Sequence, residues 1–233
     1  ARSVAPLAQR HADDMFFYCT LGVILGGRIG YATFYAPELW MQPLELLKLW
    51  NGGMSFHGGL IGATLALAWV SWRGGLSFLR VCDYIAVCVP FGMLFGRLAN
   101  FVNGELWGRV AGPGVPWAMI FPDGGPLARH PSQLYQAALE GALLAVVMLW
   151  MFWKTRARFR TGLLVGIFAA GMGAGRFIVE YFREPDQQLA EFAARSGMSM
   201  GQWLTLPLIA VGLFFAIRAL LKPALGSGAT APA

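Results

Sequence analysis

Charge is what this sequence has least of. Only 13% of its 233 residues are Asp, Glu, Lys or Arg, about half the roughly 25% of a soluble domain. So few charges cannot coat a globule with a hydrated surface, which excludes the soluble classes before any motif is read. Metal-ligating residues are scarce too, with three His (His11, His57, His130) and three Cys (Cys19, Cys82, Cys88). None recurs at the short spacings that hold zinc. Cysteines in apolar runs without C-x-x-C spacing read as small buried hydrophobes rather than disulfides or nucleophiles. No metal and no cofactor is expected.

What the chain has instead is apolar bulk. It is 57% hydrophobic with thirty glycines and a mean hydropathy of +0.54, the composition of a multi-span membrane protein. The net charge of +6 does not point to nucleic acid, because the basic residues sit at the ends of apolar runs and form no aromatic–basic face. They report topology.

Runs long enough for a roughly 30 Å hydrocarbon core occur at about 15–35, 54–72, 81–97, 136–153, 162–182 and 203–221. All must be helical, since backbone in lipid has to satisfy its own hydrogen bonds. The expected fold is therefore an all-α polytopic helix bundle, one integral membrane domain over 1–233, with small extracytoplasmic elements at 98–135 and 183–202. Arg2, Arg10, Arg73, Arg80, Lys154, Arg156, Arg158, Arg160, Arg218 and Lys222 fall on one side. Lys48, Arg109, Arg129, Arg183 and Arg195 are spread over longer segments on the other. By the positive-inside rule the first side is cytoplasmic, and both long segments face outward. Glycines at every fourth position (Gly22, Gly26 and Gly30; Gly58 and Gly62; Gly92 and Gly96; Gly162 and Gly166; Gly171 and Gly175) predict faces where helix backbones approach closely.

Several charges stand where lipid should be: Arg28, His57, Asp83, Arg97, Glu140, Arg176 and Glu180. An ionised group at the centre of a span costs about 2.5–3.5 kcal/mol on insertion scales, so such residues face a protein interior or a wet cavity. Asp83 reads as structural, and Arg28 and Glu140 fit interior ion pairs as well as they fit function. Arg176, Glu180 and Arg183 differ. At about 100° per residue they share a wedge of roughly 60°, so one helix face descends plus, minus, plus toward the outer side. Arg97 reaches that side from another helix. Guanidinium forks match phosphate oxygens and stay charged when partly dehydrated, so an excess of them at headgroup level predicts an anion site suited to a phospholipid. His57, on the outer side at the start of the second span, has two readings: a hydrogen bond to a carbonyl, or a general base near neutral pH. The G-x-S-x-G match GMSMG at 197–201 lacks the strand-to-helix turn of a nucleophile elbow. Ser199 and Gln202 instead predict a capping box opening the last span.

SFHGGLIG, GRLANFVNGELWGR, RHPSQLY and RFIVEYFREPD, in this order, resemble the bacterial prolipoprotein diacylglyceryl transferases, and GGRIGY at 26–31 and SMGQ at 199–202 also fit. The resemblance implies a cell inner-membrane enzyme with its active site toward the outer, periplasmic leaflet. Its partners would be phosphatidylglycerol, the surrounding membrane lipids, and the lipobox cysteine of a prolipoprotein signal peptide. It would form a thioether and release glycerol phosphate. Carried over by motif, His57, Arg97, Arg176 and Glu180 are the implied catalytic residues. Arg97, Asn100, Glu105, Gly108, Tyr135 and Arg183 are the implied substrate-binding residues. The family has seven spans, so a further one would precede those visible, with ARSVAPLAQR as a cytoplasmic linker after it. The competing class is a transporter or channel for an anionic or lipid-like substrate. Against it, the two halves show no matching broken-helix repeats.

Overall fold

Each apolar run of the sequence folds as a helix in the computed structural model, which describes residues 9–184 and 197–224. Residues 185–196, most of the second expected outer segment and including Arg195, lie outside the described residues, as does Arg2. Among the described residues the six longer helices are α1 (Gln9–Phe34), α2 (Phe56–Arg73), α3 (Phe78–Val102), α4 (Ser132–Lys154), α5 (Leu163–Val179) and α6 (Met200–Leu221). Four of them, α1, α3, α4 and α6, are long and apolar enough to cross a membrane. With 17 residues, α5 rises only about 25 Å. No β-strand forms among the described residues, only the isolated bridges Gly108–Arg183, Val110–Arg129 and Met119–Arg129. Large side chains on the long helices point outward, with Phe16 80% and Leu221 81% exposed. Such a surface would aggregate in water but is what lipid requires.

Packing divides the chain into two units, Ala1–Cys82 and Asp83–Ala233. In the first, α1 and α2 meet along the glycine seam expected from the sequence. A Cβ on Gly26 would lie 2.3 Å from the Gly58 carbonyl oxygen, and one on Gly62 only 1.9 Å from that of Gly22. Any side chain there would push the helices apart. Between these helices run three short helical turns, Pro37–Met41, Pro43–Leu47 and Leu49–Asn51, which expose Trp40, Met41, Leu44, Leu47 and Trp50. Buried Arg28 gathers them. Its Nε donates to the Leu46 carbonyl (2.8 Å), Nη2 to those of Glu45 (2.7 Å) and Lys48 (3.2 Å), and Nη1 to those of Gly52 and Gly53. The intramembrane charge is thus balanced by backbone dipoles rather than by a carboxylate. Ser55 then caps α2, its hydroxyl accepting from Gly58 N–H.

In the second unit Asp83 has the structural task its position suggested. Its carboxylate accepts from the N–H groups of Gly162 (2.6 Å) and Val165 (2.9 Å), where an anion complements the dipole of α5. Met148, Leu144, Leu163, Leu164, Ala216 and Ala219 form the core. Helices α5 and α6 touch through Gly166 and Gly212, where a Cβ would come within 2.6 Å of Ala216 N and 2.5 Å of Ala170 N. Gly92 and Gly96 share the four-residue spacing but not the contact: among the described residues no other helix comes within 4 Å of either Cβ position. Spacing permits a close approach without creating one. The capping box is present: the Ser199 hydroxyl accepts from Gln202 N–H, and Gln202 Oε1 accepts from Ser199 N–H. Within α4, Ala137–Leu143 widens into a π turn, beside which Gly141 lies so close to Leu94 that a Cβ would sit 2.7 Å from its Cα.

Replacing Arg28 removes donors from five carbonyls at once. Arg28→Met should lower stability by at least about 3 kcal/mol, read as a large drop in melting temperature in detergent micelles. A variant that melts with the parent would show that the carbonyls find other donors.

Candidate functional site

The polar block after α3 begins as a helix end. Gly104, at φ 69°, takes the left-handed position that closes a Schellman motif. Glu105 N–H donates to the Asn100 carbonyl (3.0 Å) and Gly104 N–H to that of Phe101 (3.0 Å). This turn brings side chains five residues apart together. Arg97 Nη1 donates to Asn100 Oδ1 (3.1 Å), Asn100 Nδ2 to Glu105 Oε1 (2.9 Å), and Asn103 Nδ2 to the same oxygen (3.2 Å). The amides of Asn100 and Asn103 hold the Glu105 carboxyl below the usual carboxylate range, Asn100 contributing more.

The chain then passes under two others. Leu106 is a non-glycine residue at φ 57°, a sparsely populated conformation, and its carbonyl accepts from the Ser132 hydroxyl (3.1 Å). Gln133, fully buried, donates to the Glu105 carbonyl (2.6 Å). Gly108 is the crossing point. Its N–H donates to the His130 carbonyl (2.9 Å), the next N–H, of Arg109, donates to that of Phe182 (2.9 Å), and Gly108 bridges to Arg183. A Cβ on Gly108 would lie 2.4 Å from Phe182 O and 2.6 Å from His130 O. Glycine is needed here for backbone approach. Around the crossing, Arg129 pairs with Glu184 (2.9 Å), and His130, Tyr135 and Phe182 pack edge to face. The Tyr135 hydroxyl accepts from Trp117 Nε1 (2.7 Å) and lies 3.1 Å from His130 Nδ1.

Arg176 and Glu180, one turn apart at the end of α5, come within 3.5 Å (Nε to Oε2). Glu180 is buried against α6, where a Cβ on Gly201 would lie 2.6 Å from its Oε1. Arg97 from α3, Arg176 from α5 and Arg183 just beyond it act electrostatically on one another, and Glu140 from the π turn of α4 acts on all three. Among the described residues Arg97 and Arg183 form no ion pair within 4.0 Å. The second unit thus gathers Arg97, Asn100, Glu105, Gly108, Tyr135, Arg176, Glu180 and Arg183. His57 belongs to the first unit, exposed in the opening turn of α2. Gln133, Asn103, Trp117 and His130 are not among the expected site residues, whereas Glu140 stands among the intramembrane charges with its two readings open. A polar cluster, RHPSQLYQ, at the mouth of an apolar helix was the signal for several of them.

Fold and site define an all-helical, multi-pass membrane protein that concentrates arginines where α3, α4 and α5 meet. The family model described as prolipoprotein diacylglyceryl transferase matches residues 1–218, and the chain belongs to that family. It is 60% identical over 224 residues to the phosphatidylglycerol–prolipoprotein diacylglyceryl transferase of Erythrobacter litoralis, covering 96% of this chain and 79% of the relative. The enzymes of the same name from Idiomarina loihiensis and Zymomonas mobilis are 53% and 51% identical. Each match covers 91% of this chain, with 77% and 73% of the respective relatives.

The amide bonds to Glu105 have a pH signature. With its carboxyl depressed in the folded state, their contribution is complete above about pH 4.3, the ordinary Glu value, and disappears as pH falls through the lower folded value. Melting temperatures recorded from pH 6 down to 3 should show an acid loss in the parent that Glu105→Gln lacks. Parallel curves would remove the amide cage as a stabilising element.

Proposed function

We propose that the protein transfers the diacylglyceryl group of phosphatidylglycerol to the thiol of a prolipoprotein's lipobox cysteine, as the names of its relatives suggest. What supports the site reading is that Arg97 and Arg176, borne on separate helices, act on each other's charge. The cysteine sulfur attacks a glycerol carbon. A C–S bond forms as the C–O bond to phosphate breaks, the electron pair leaves on the phosphate oxygen, and glycerol phosphate departs. Negative charge grows on that phosphate, so Arg97 and Arg176, fixed before the reaction, stabilise the transition state more than the bound lipid. Arg183 adds to the cationic field. Glu180 holds Arg176 by its Nε, leaving the other guanidinium nitrogens for the guest. Asn100 fixes Arg97 from the other side, and Glu105 fixes Asn100. Gly108 and Tyr135 shape the crossing above them.

The thiol proton needs an acceptor, because a cysteine of ordinary pKa, about 8.5, is mostly protonated at neutral pH. His57 is the candidate base, assigned from imidazole chemistry and the motif SFHGGLIG. The setting is the bacterial inner membrane, with six spans in this chain forming one integral domain, both ends of the visible bundle cytoplasmic and the arginines at the outer leaflet. No cofactor or metal enters this chemistry.

Incubating the full chain with phosphatidylglycerol and a lipobox peptide, then weighing the peptide, tests the activity directly. A gain of one diacylglyceryl group is expected, and an unmodified peptide would refute the reading. In the same assay Arg97→Ala and Arg176→Ala should each lose about 100- to 1000-fold while still inserting in membranes. Near-parental turnover in either would remove the phosphate role. His57→Asn should slow the reaction by about 100-fold or more and flatten its dependence between pH 6 and 9. If rate and pH profile both match the parent, another group takes the proton.

A further inference from the structure

Glu140 is a carboxylate the reaction above does not use, and it occupies the most constrained position in the cluster. Its residue is 0% exposed. Oε1 receives only a long hydrogen bond from Gln136 Nε2 (3.5 Å), and Oε2 has no hydrogen-bond partner among the described residues. The π turn of α4 carries it, and Gly175 makes room for it: a Cβ on that residue, immediately before Arg176, would lie 3.2 Å from Glu140 Cγ. A carboxylate with so few donors is strongly disfavoured in an interior unless cations compensate. Arg176, Arg97 and Arg183 are the cations whose charge reaches it, although among the described residues none forms an ion pair with it within 4.0 Å.

Arg97, Arg176 and Arg183 act on one another, Glu180 pairs with Arg176, and Glu140 lies within reach of their charge. With both carboxylates ionised the cluster carries one net positive charge. A phosphodiester headgroup carries one negative charge. The phosphomonoester released on transfer carries about 1.5 to 2 near neutral pH. Arginines alone would hold the product more tightly than the lipid. We propose that Glu140 sets the charge of the arginine cluster so that it holds a singly charged phosphodiester and releases the doubly charged phosphomonoester. Glu140 is in this sense a specificity and product-release residue that acts through the arginines. The inference rests on the phosphate-site reading of Arg97 and Arg176 and adds to it.

The test uses the full chain in micelles at pH 8, with glycerol phosphate and its singly charged methyl ester as competitors of phosphatidylglycerol. In the parent the methyl ester should inhibit at least as strongly as glycerol phosphate. Glu140→Gln, which keeps shape but not charge, should bind glycerol phosphate roughly tenfold more tightly, with a smaller gain for the ester. Its kcat should fall without a rise in KM for the lipid. Glu140→Asp should keep the parental ratio of the two inhibition constants. An unchanged ratio in Glu140→Gln, or a loss of activity with both inhibitors weakened together, would overturn the inference in favour of a purely structural role. Should Glu140→Gln not fold, the parent still decides, since a clear preference of the parent for glycerol phosphate contradicts the proposal. If neither compound competes with lipid in the parent, the phosphate site itself is refuted, and this inference with it.

Discussion

Like charges brought together inside an apolar protein repel one another, and the second unit is organised around making that tolerable. Arg97 and Arg176 feel each other's charge and that of Arg183 while part of each is removed from water. Their neighbours offset this unequally. Arg176 has the Glu180 carboxylate at 3.5 Å, while among the described residues the side chain that Arg97 hydrogen-bonds is an amide, Asn100, at 3.1 Å. The proposed phosphate site depends on that shortfall, because a cation cluster fully neutralised by its own protein would have no reason to admit an anion. Arg28 in the first unit is the contrast. Its donors all end on backbone carbonyls of one short segment, which leaves nothing for a ligand.

Holding such a cluster requires rigid supports from outside it. The support is the crossing at Gly108, where three chain segments exchange backbone hydrogen bonds and no side chain fits. One segment runs from Arg97 through the Schellman turn, a second opens α4 and leads to Glu140, and the third follows Arg176 and Glu180 out of α5. Fixing their mutual approach fixes the ends of the helices that bear the charges. A glycine can therefore matter to the charge cluster through the backbone approach it permits, without offering a side chain of its own.

Much of this was legible in the sequence wherever the signal is local. Apolar runs became helices, S-x-x-Q became a capping box, and the repeat of Arg176, Glu180 and Arg183 placed an ion pair one turn apart. The Gly22–Gly26 and Gly58–Gly62 repeats packed, but Gly92 and Gly96 did not, because a small-residue face records only that contact is allowed. Partners distant in sequence escaped altogether. Arg28 reaches carbonyls 17 to 25 residues away, and Gln133 finds the Glu105 carbonyl 28 residues back. Nothing in AALEGAL distinguishes a π turn from ordinary helix, so Glu140 could not be separated from a plain interior ion pair.

That π turn has a consequence for how the carboxylate meets the arginines. A helix that widens by one residue changes the angular phase of everything beyond it, and the Gly141–Leu94 approach pins the wide turn against α3. The side chain just before that contact is Glu140. Its Cγ lies against Gly175 of α5, which precedes Arg176, while the next residue touches α3, which bears Arg97. Regular α-helical geometry through Ala137–Leu143 would rotate it relative to both. The irregular backbone thus sets a buried carboxyl group close to helices that each bear an arginine, and the close contacts of Gly141 and Gly175 fix its position.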